Sequence, residues 1–98
     1  METTENKDNS APVPPPPPPR RCRIVEYKLD GDDCAKINAW RTENFVTVGE
    51  VYPMMIIRVS DQYVSGAVFL DAFQDGAHLT YVVEASQGDE EGCWQWPV

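Results

Sequence analysis

Histidine and cysteine are scarce in this chain of 98 residues, which has one histidine and three cysteines. Cys22, Cys34 and Cys93 are far apart and form no Cys-x-x-Cys pair, so the ligand spacing of a structural zinc site is absent. We therefore predict that the protein binds no metal and no cofactor. An odd number of dispersed cysteines is typical of reduced thiols in a cytosolic protein, with a Cys22–Cys93 disulfide left open.

Long apolar segments are also missing. The longest uninterrupted apolar run is PMMII, at residues 53–57, whereas a helix that crosses a bilayer needs about 20 apolar residues. The N-terminus has no basic start followed by an apolar run, as a signal peptide would have. We expect a soluble protein without membrane contact.

The sequence offers little catalytic chemistry. Ser65, Asp75 and His78 are the residue types of a hydrolase, but no nucleophile motif or matching spacing accompanies them. The acidic run DEE at residues 89–91 is typical of a solvated loop rather than a metal site. We predict that the protein is not an enzyme.

Positive charge is concentrated at the N-terminus. Residues 1–23 carry four basic and three acidic residues, a net charge of +1, whereas residues 24–98 carry four basic and thirteen acidic residues, a net charge of −9. An acidic body repels nucleic-acid phosphates, so we expect no nucleic-acid binding. The basic residues before it would suit an acidic protein surface.

The first 22 residues form an arm rather than part of a core. Residues 1–10 contain a single apolar residue, and the six consecutive prolines that follow favour an extended polyproline II rod. We predict an arm over residues 1–22, disordered or docked on a partner, and a single domain over residues 23–98. The arm residues expected to bind a partner are Pro14, Pro15, Pro16, Pro17, Pro18, Pro19, Arg20, Arg21 and Arg23.

The domain has the pattern of a small β protein. Residues 23–29 alternate as in a half-buried strand, and residues 30–42 have helical spacing, with Asp30 and Asp33 placed as a capping box. Strands are then predicted over residues 45–52, 54–60, 63–73, 78–85 and 93–98, with an Asp-Gly hairpin turn at 75–76. We predict a mainly β fold: a small antiparallel barrel or roll of five to six strands, about the size of a Src-homology-3 domain, with one short helix.

Several motifs occur in a characteristic order. They are Gly-Glu-Val-Tyr-Pro at residues 49–53, Val-Phe-Leu-Asp at 68–71 and Gly-x-Trp-x-Trp-Pro at 92–97. In this order they resemble a group of small proteins encoded by tailed bacteriophages and prophages, especially those of actinobacteria. The chain departs from the group in a longer segment at residues 70–85 and in Tyr81, where the group has a tryptophan. The resemblance implies a phage origin and a body plan, but no established biochemical role.

Four residues of the domain are candidates for a ligand platform: Arg58, Tyr81, Trp94 and Trp96. The two tryptophans lie two residues apart on a predicted strand, so they share a face and could stack a base or a proline ring. They could equally be core residues of a domain with few large side chains. Arg58 interrupts an apolar strand, where it could bind an anionic group or simply pair with a nearby carboxylate.

These features predict a non-enzymatic phage protein that acts as a binding or assembly module. We expect a virion decoration or accessory subunit, anchored to a capsid or tail protein by the Pro/Arg arm. The alternative is an anti-defence protein that sequesters a host nucleotide signal or inhibits a host protein. Either role places it in the host cytoplasm during infection, with assembly into the virion and homo-oligomer formation left open.

Overall fold

Five strands and one helix make up the regular secondary structure of residues 17–70 and 79–97, the part of the chain that the computed structural model describes. They are β1 (Ile24–Lys28), α1 (Gly31–Asn38), β2 (Val51–Ser60), β3 (Tyr63–Phe69), β4 (Leu79–Ala85) and β5 (Trp94–Gln95). The strands form one antiparallel sheet in the order β4-β3-β2-β1-β5. The predicted mainly β fold with one short helix is confirmed.

Helix α1 begins at the predicted capping box. The Asp30 side chain accepts a hydrogen bond from the Asp33 amide at 2.8 Å, and the Asp33 carboxylate accepts one from the Asp30 amide at 3.1 Å. Each carboxylate thereby satisfies a donor that the helix itself leaves unpaired. The helix buries Cys34 and Ile37 and ends at Asn38, four residues earlier than the spacing predicted.

The sheet curls into a roll because β5 is held from both sides. On one side Tyr27 pairs with Trp94 in the antiparallel β1–β5 ladder. On the other side Trp94 forms a parallel bridge to the segment that follows β4. There the Trp94 amide donates to the Ser86 carbonyl at 3.0 Å, and the Gly88 amide donates to the Trp94 carbonyl at 2.9 Å. Trp94 thus connects β5, at one edge of the sheet, to the segment that follows β4, at the other edge.

Alternation along the strands sends one set of side chains into the roll. Eight side chains are fully buried, six from the strands, one from the residue that follows β1 and one from α1, and together they form the centre of a single core. They are Trp94, Leu29, Ile37, Met54, Ile56, Val25, Val64 and Val68. The three cysteines are free thiols: Cys34 is buried, Cys93 is half-buried and Cys22 is exposed.

The strand predicted over residues 45–52 is wrong in its first six residues. This segment is irregular and turns at Gly49, which has a φ of 93° and donates its amide to the Leu29 carbonyl at 2.9 Å. The Asn38 side chain takes the place of a neighbouring strand: its Nδ2 donates to the Val46 carbonyl at 2.9 Å and its Oδ1 accepts from the Val46 amide at 2.8 Å. Val46 is buried although it belongs to no strand.

Pro53 lies inside β2, the central strand, and not at the start of a strand. The Ile56 amide points to β1, where it donates to the Arg23 carbonyl at 2.9 Å. Amide directions alternate along a strand, so the Pro53 nitrogen points to β3, which ends opposite it at Phe69. A residue without an N–H group therefore lies where the β2–β3 ladder stops.

Strands β3 and β4 pair as the predicted hairpin requires, with Phe69 opposite Leu79. The Asp-Gly turn expected between them lies outside the described residues, as do Asp75 and His78. The same holds for Pro14, Pro15 and Pro16 of the arm.

The junction of arm and roll as candidate functional site

The last prolines of the arm lie against the roll at Trp96. The indole Nε1 of Trp96 donates a hydrogen bond to the Pro17 carbonyl, with a distance of 2.9 Å between the two atoms. A mostly apolar cavity of about 260 Å³ surrounds this contact and is lined by Pro17, Pro18, Arg20, Arg23 and Trp96. The end of the proline rod, two arginines and one tryptophan therefore form a single surface, named here the Trp96 groove.

The root of the arm is fixed by the main chain. The Cys22 amide donates to the Ile56 carbonyl at 2.8 Å, and the Ile56 amide donates to the Arg23 carbonyl at 2.9 Å. These bonds extend the β1–β2 ladder to the point where the arm begins. Cys22 has a φ of 69°, in the left-handed region that side-chain-bearing residues seldom adopt. The chain therefore turns sharply between the rod and the first strand.

Trp94 and Trp96 lie on the same face of the last strand segment, as their spacing predicts, but in different environments. Trp94 is completely buried in the core, whereas Trp96 is half-buried and packs against the core from its edge. Their rings meet edge to face, with centroids 5.7 Å apart and planes at 86°. Trp94 thus supports the ring of Trp96 from within, and only Trp96 can offer a surface to a ligand.

Arg58 and Tyr81, the other two platform candidates, lie elsewhere. Arg58 is exposed beside the irregularity in the β2–β3 ladder, opposite Ser65. Tyr81 is 53% exposed on the outer face of β4. The structure therefore brings no more than two of the four platform candidates, the two tryptophans, into contact.

The outer face of the sheet carries an apolar patch. Directly opposite residues of neighbouring strands share a face, so the register places Ile24, Met55, Ala67 and Tyr81 in one row across four strands. Ile24 and Tyr81 at its two ends are 44% and 53% exposed. The next row across β3 and β4 pairs Phe69 with Leu79, and both are more than 40% exposed. This two-row surface could not be predicted from alternation within one strand, because it depends on the register between neighbouring strands.

An acidic cluster lies under the N-terminus of α1. The Tyr27 hydroxyl donates to Asp33 Oδ2 at 2.5 Å, and Tyr27 itself is 2% exposed. Burial, and then the hydrogen bond to the carboxylate, raises the pKa of Tyr27 far above its usual range. Burial also raises the pKa of Asp33, against the lowering effect of the hydrogen bond from Tyr27. The Tyr27–Asp33 pair is a structural support for the helix start, which the sequence did not indicate.

Residues 17–70 and 79–97 contain neither a cluster of metal ligands nor a helix long enough to span a membrane. No group of three or more histidine, cysteine or acidic side chains in these ranges could hold a metal ion. A surface cleft of about 460 Å³ lies beside the acidic residues 89–91, but the Lys28 ammonium there donates to the Asp89 carbonyl at 2.6 Å. The helix found in these ranges, eight residues long, is too short to cross a membrane.

Comparison of the chain with protein-family models, curated proteins and solved structures gave no match in any of the three. The resemblance to small phage proteins therefore stays a prediction.

Proposed function

We propose that this chain is a non-enzymatic binding module that its Pro/Arg arm attaches to a larger protein assembly. The observation that carries the proposal is the fixed junction between arm and roll. The hydrogen bond from Trp96 to Pro17 and the main-chain pairing of Cys22 and Arg23 with β2 hold the root of the arm. Because the root is paired with the sheet, a partner that binds the arm is joined directly to the folded domain.

The charge of the junction supports an acidic partner surface. Arg20, Arg21 and Arg23 are all exposed, on a chain whose net charge is −8. A basic patch on an otherwise acidic protein selects for partners that are negative at the contact and repels basic ones. Planar guanidinium groups also bind carboxylates with two parallel hydrogen bonds, which a lysine cluster would not provide.

The outer apolar patch supplies a second surface of the kind that contacts proteins. Tyr81, Phe69 and Leu79 expose between 41% and 53% of their area. Adjacent exposed apolar side chains on one sheet face are typical of protein contact sites. We propose that the arm tethers the module and that the sheet face rests on the same assembly. Given the phage origin that the resemblance implies, we propose a virion capsid or tail as this assembly.

The anti-defence alternative separates into two hypotheses. A nucleotide pocket has little support, because the four platform candidates do not share one surface and Trp94 is enclosed by the core. An inhibitor of a host protein would use the same arm and the same apolar patch. It differs from an accessory subunit in the place where the protein accumulates.

The test is the occupancy of purified particles, measured by quantitative mass spectrometry. We expect the full chain at a fixed stoichiometry with a capsid or tail protein. A full-length variant in which residues 14–19 are replaced by Gly-Ser repeats should lose at least about tenfold in occupancy, the equivalent of about 1.4 kcal/mol of attachment. A matched variant with residues 2–7 replaced in the same way should keep its occupancy.

Particles without the protein would overturn the virion role. Capture of one host protein from infected cells, dependent on residues 14–19, would then favour the inhibitor. Equal attachment of both variants would show that the rod is only a spacer.

A further inference from the structure

The Trp96 groove has the chemistry of a proline-binding site. Polyproline II has no internal hydrogen bonds and prolines have no N–H group, so its carbonyl oxygens are free to accept. Grooves that bind such segments offer an aromatic side chain for the rings, and a charged group beside the rod is a common second contact. Trp96 supplies a half-buried ring and a donor 2.9 Å from the Pro17 carbonyl, and Arg20 and Arg23 lie beside it.

We propose that Trp96 forms a proline-recognition site on the roll, occupied by the chain's own Pro17 and Pro18 and open to the proline rod of a second copy. The inference rests on the proposed role of the arm as the attachment element, but it concerns the surface that receives the arm. Copies of the chain would exchange arms, each rod lying in the groove of its neighbour.

The contact between the rod and Trp96 of the same chain is weak enough to break and re-form. It consists of one exposed hydrogen bond and the faces of two prolines that remain solvent-exposed themselves. A hydrogen bond of this type changes an equilibrium by about two- to tenfold. The rod is therefore free to leave Trp96 and return while Cys22 and Arg23 stay paired with β2, and a neighbouring rod competes for the same donor.

The rod offers several equivalent ligands. Polyproline II repeats every three residues, so in residues 14–19 each of the first three prolines has an equivalent three positions later. A rod from a second copy presents the same carbonyl and ring pattern as Pro17 and Pro18, without being tied to one register.

Two features favour a second copy as the occupant. The three exposed arginines Arg20, Arg21 and Arg23 lie together at the root of the arm, and their local positive charge suits the acidic remainder of another copy, which has a net charge of −9. The rod is also identical in every copy. A neighbour's rod can therefore make the Pro17 contact with Trp96 while its own root stays paired with β2, as in other exchanges of identical elements between subunits.

The first experiment tests the site by two-dimensional NMR of the indole N–H groups of the full chain. The probe is a synthetic peptide with the sequence of residues 11–20, APVPPPPPPR. It is titrated into the full-length variant in which residues 14–19 are replaced by Gly-Ser repeats, which leaves the groove empty. We expect the Trp96 signal to shift with a dissociation constant on the order of 100 µM, and at least about fivefold weaker binding to the natural chain.

Two substitutions serve as a matched pair. Trp96→Phe keeps a ring but removes the donor and its signal, so binding is read from the indole signal of Trp94, whose ring lies 5.7 Å away. The peptide should bind this variant at least about threefold more weakly. Trp40→Phe changes an exposed tryptophan of α1's C-terminal turn and should bind the peptide like its parent. If the peptide leaves the Trp96 signal unmoved, or if both variants behave alike, the site is refuted.

The second experiment tests the occupant by sedimentation velocity of the natural chain under reducing conditions, from about 10 µM to about 1 mM. We expect the natural chain to associate more strongly as its concentration rises. Trp96→Phe and the rod variant should both associate less. A natural chain that stays monomeric while the peptide binds would overturn the second copy as the occupant and point to a proline-rich partner of another sequence. The rod variant could lose its attachment to particles while the peptide fails to bind the Trp96 groove. That combination would refute this inference alone and leave the proposed function standing.

Discussion

Removal of the Tyr27 hydroxyl tests how the acidic cluster supports the fold. Tyr27→Phe deletes one oxygen atom, the donor that lies 2.5 Å from Asp33 Oδ2, and leaves the buried ring in place. The carboxylate of Asp33 then keeps the Asp30 amide as its donor in the capping box, at 3.1 Å. The substitution therefore isolates one half-buried hydrogen bond to the carboxylate of Asp33.

The magnitude follows from that bond. A hydrogen bond to a charged group contributes about 1.5–3 kcal/mol, and the loss leaves the half-buried carboxylate of Asp33 with one donor fewer. We expect Tyr27→Phe to lower the free energy of unfolding by about 2 kcal/mol at neutral pH. For a domain of this size, such a loss lowers the melting temperature by about 8–16 °C.

The same prediction covers how the free energy of unfolding changes with pH. Burial raises the pKa of Tyr27 in the folded state above the value of about 10 that it has when unfolded. The folded state therefore holds the hydroxyl proton more tightly, and this contribution is complete below pH 10. As the pH rises above 10, the unfolded state ionises first and stability falls by about 1.4 kcal/mol per pH unit. Phenylalanine has no such proton, so the two curves should meet at about pH 11.5.

The assay is urea unfolding followed by tryptophan fluorescence at several pH values between neutrality and about pH 11.5. Tyr63→Phe is the control, because Tyr63 is 44% exposed and the substitution should keep the stability at neutral pH. A loss below about 0.5 kcal/mol at neutral pH, or an unchanged alkaline slope in Tyr27→Phe, would refute the reasoning.

Three further substitutions test the packing that positions the site, each by urea unfolding. Gly66→Ala would place a methyl group 2.2 Å from the Met55 carbonyl oxygen, so the β2–β3 ladder must shift and we expect a loss of about 3 kcal/mol. Trp94→Ala should cost about 4 kcal/mol, because the side chain is fully buried, whereas Trp40→Ala, at a site 75% exposed, should cost less than about 0.5 kcal/mol. Asp30→Ala removes the cap of α1 and should cost about 1 kcal/mol. A Trp94 loss no greater than that of Trp40, or a neutral Gly66→Ala, would contradict the described core.

Local physics made part of the fold predictable from the sequence. The capping box of Asp30 and Asp33 depends on two residues three positions apart, and the alternation of β1 depends on a single strand facing one core. Both are confirmed because the interactions concerned lie within a few residues of each other along the chain.

The irregular segment after α1 shows where such prediction fails. Its β-branched and aromatic residues have the composition of a strand, yet its strand-like partner at Val46 is the side chain of Asn38 rather than another main chain. A buried position requires an apolar residue in a loop as much as in a strand, and Val46 occupies such a position. Composition alone does not separate the two cases.

The candidate site was predictable only in its parts. The proline rod, its arginines and the shared face of Trp94 and Trp96 are visible in the sequence. The hydrogen bond between Trp96 and Pro17 joins residues that are 79 positions apart, and it depends on how β5 is placed beside β1. No local pattern shows that the arm meets a tryptophan of its own chain.

The last strand connects the stability of the roll to the position of the arm. Trp94 closes the roll through its main-chain bonds to Ser86 and Gly88, and two residues later Trp96 holds Pro17. The two contacts differ in strength, because Trp94 is fully buried whereas the hydrogen bond between Trp96 and Pro17 is exposed. Release of the arm breaks that one exposed bond and leaves β5 and Trp94 in place. An assembly partner could therefore take the rod without opening the roll.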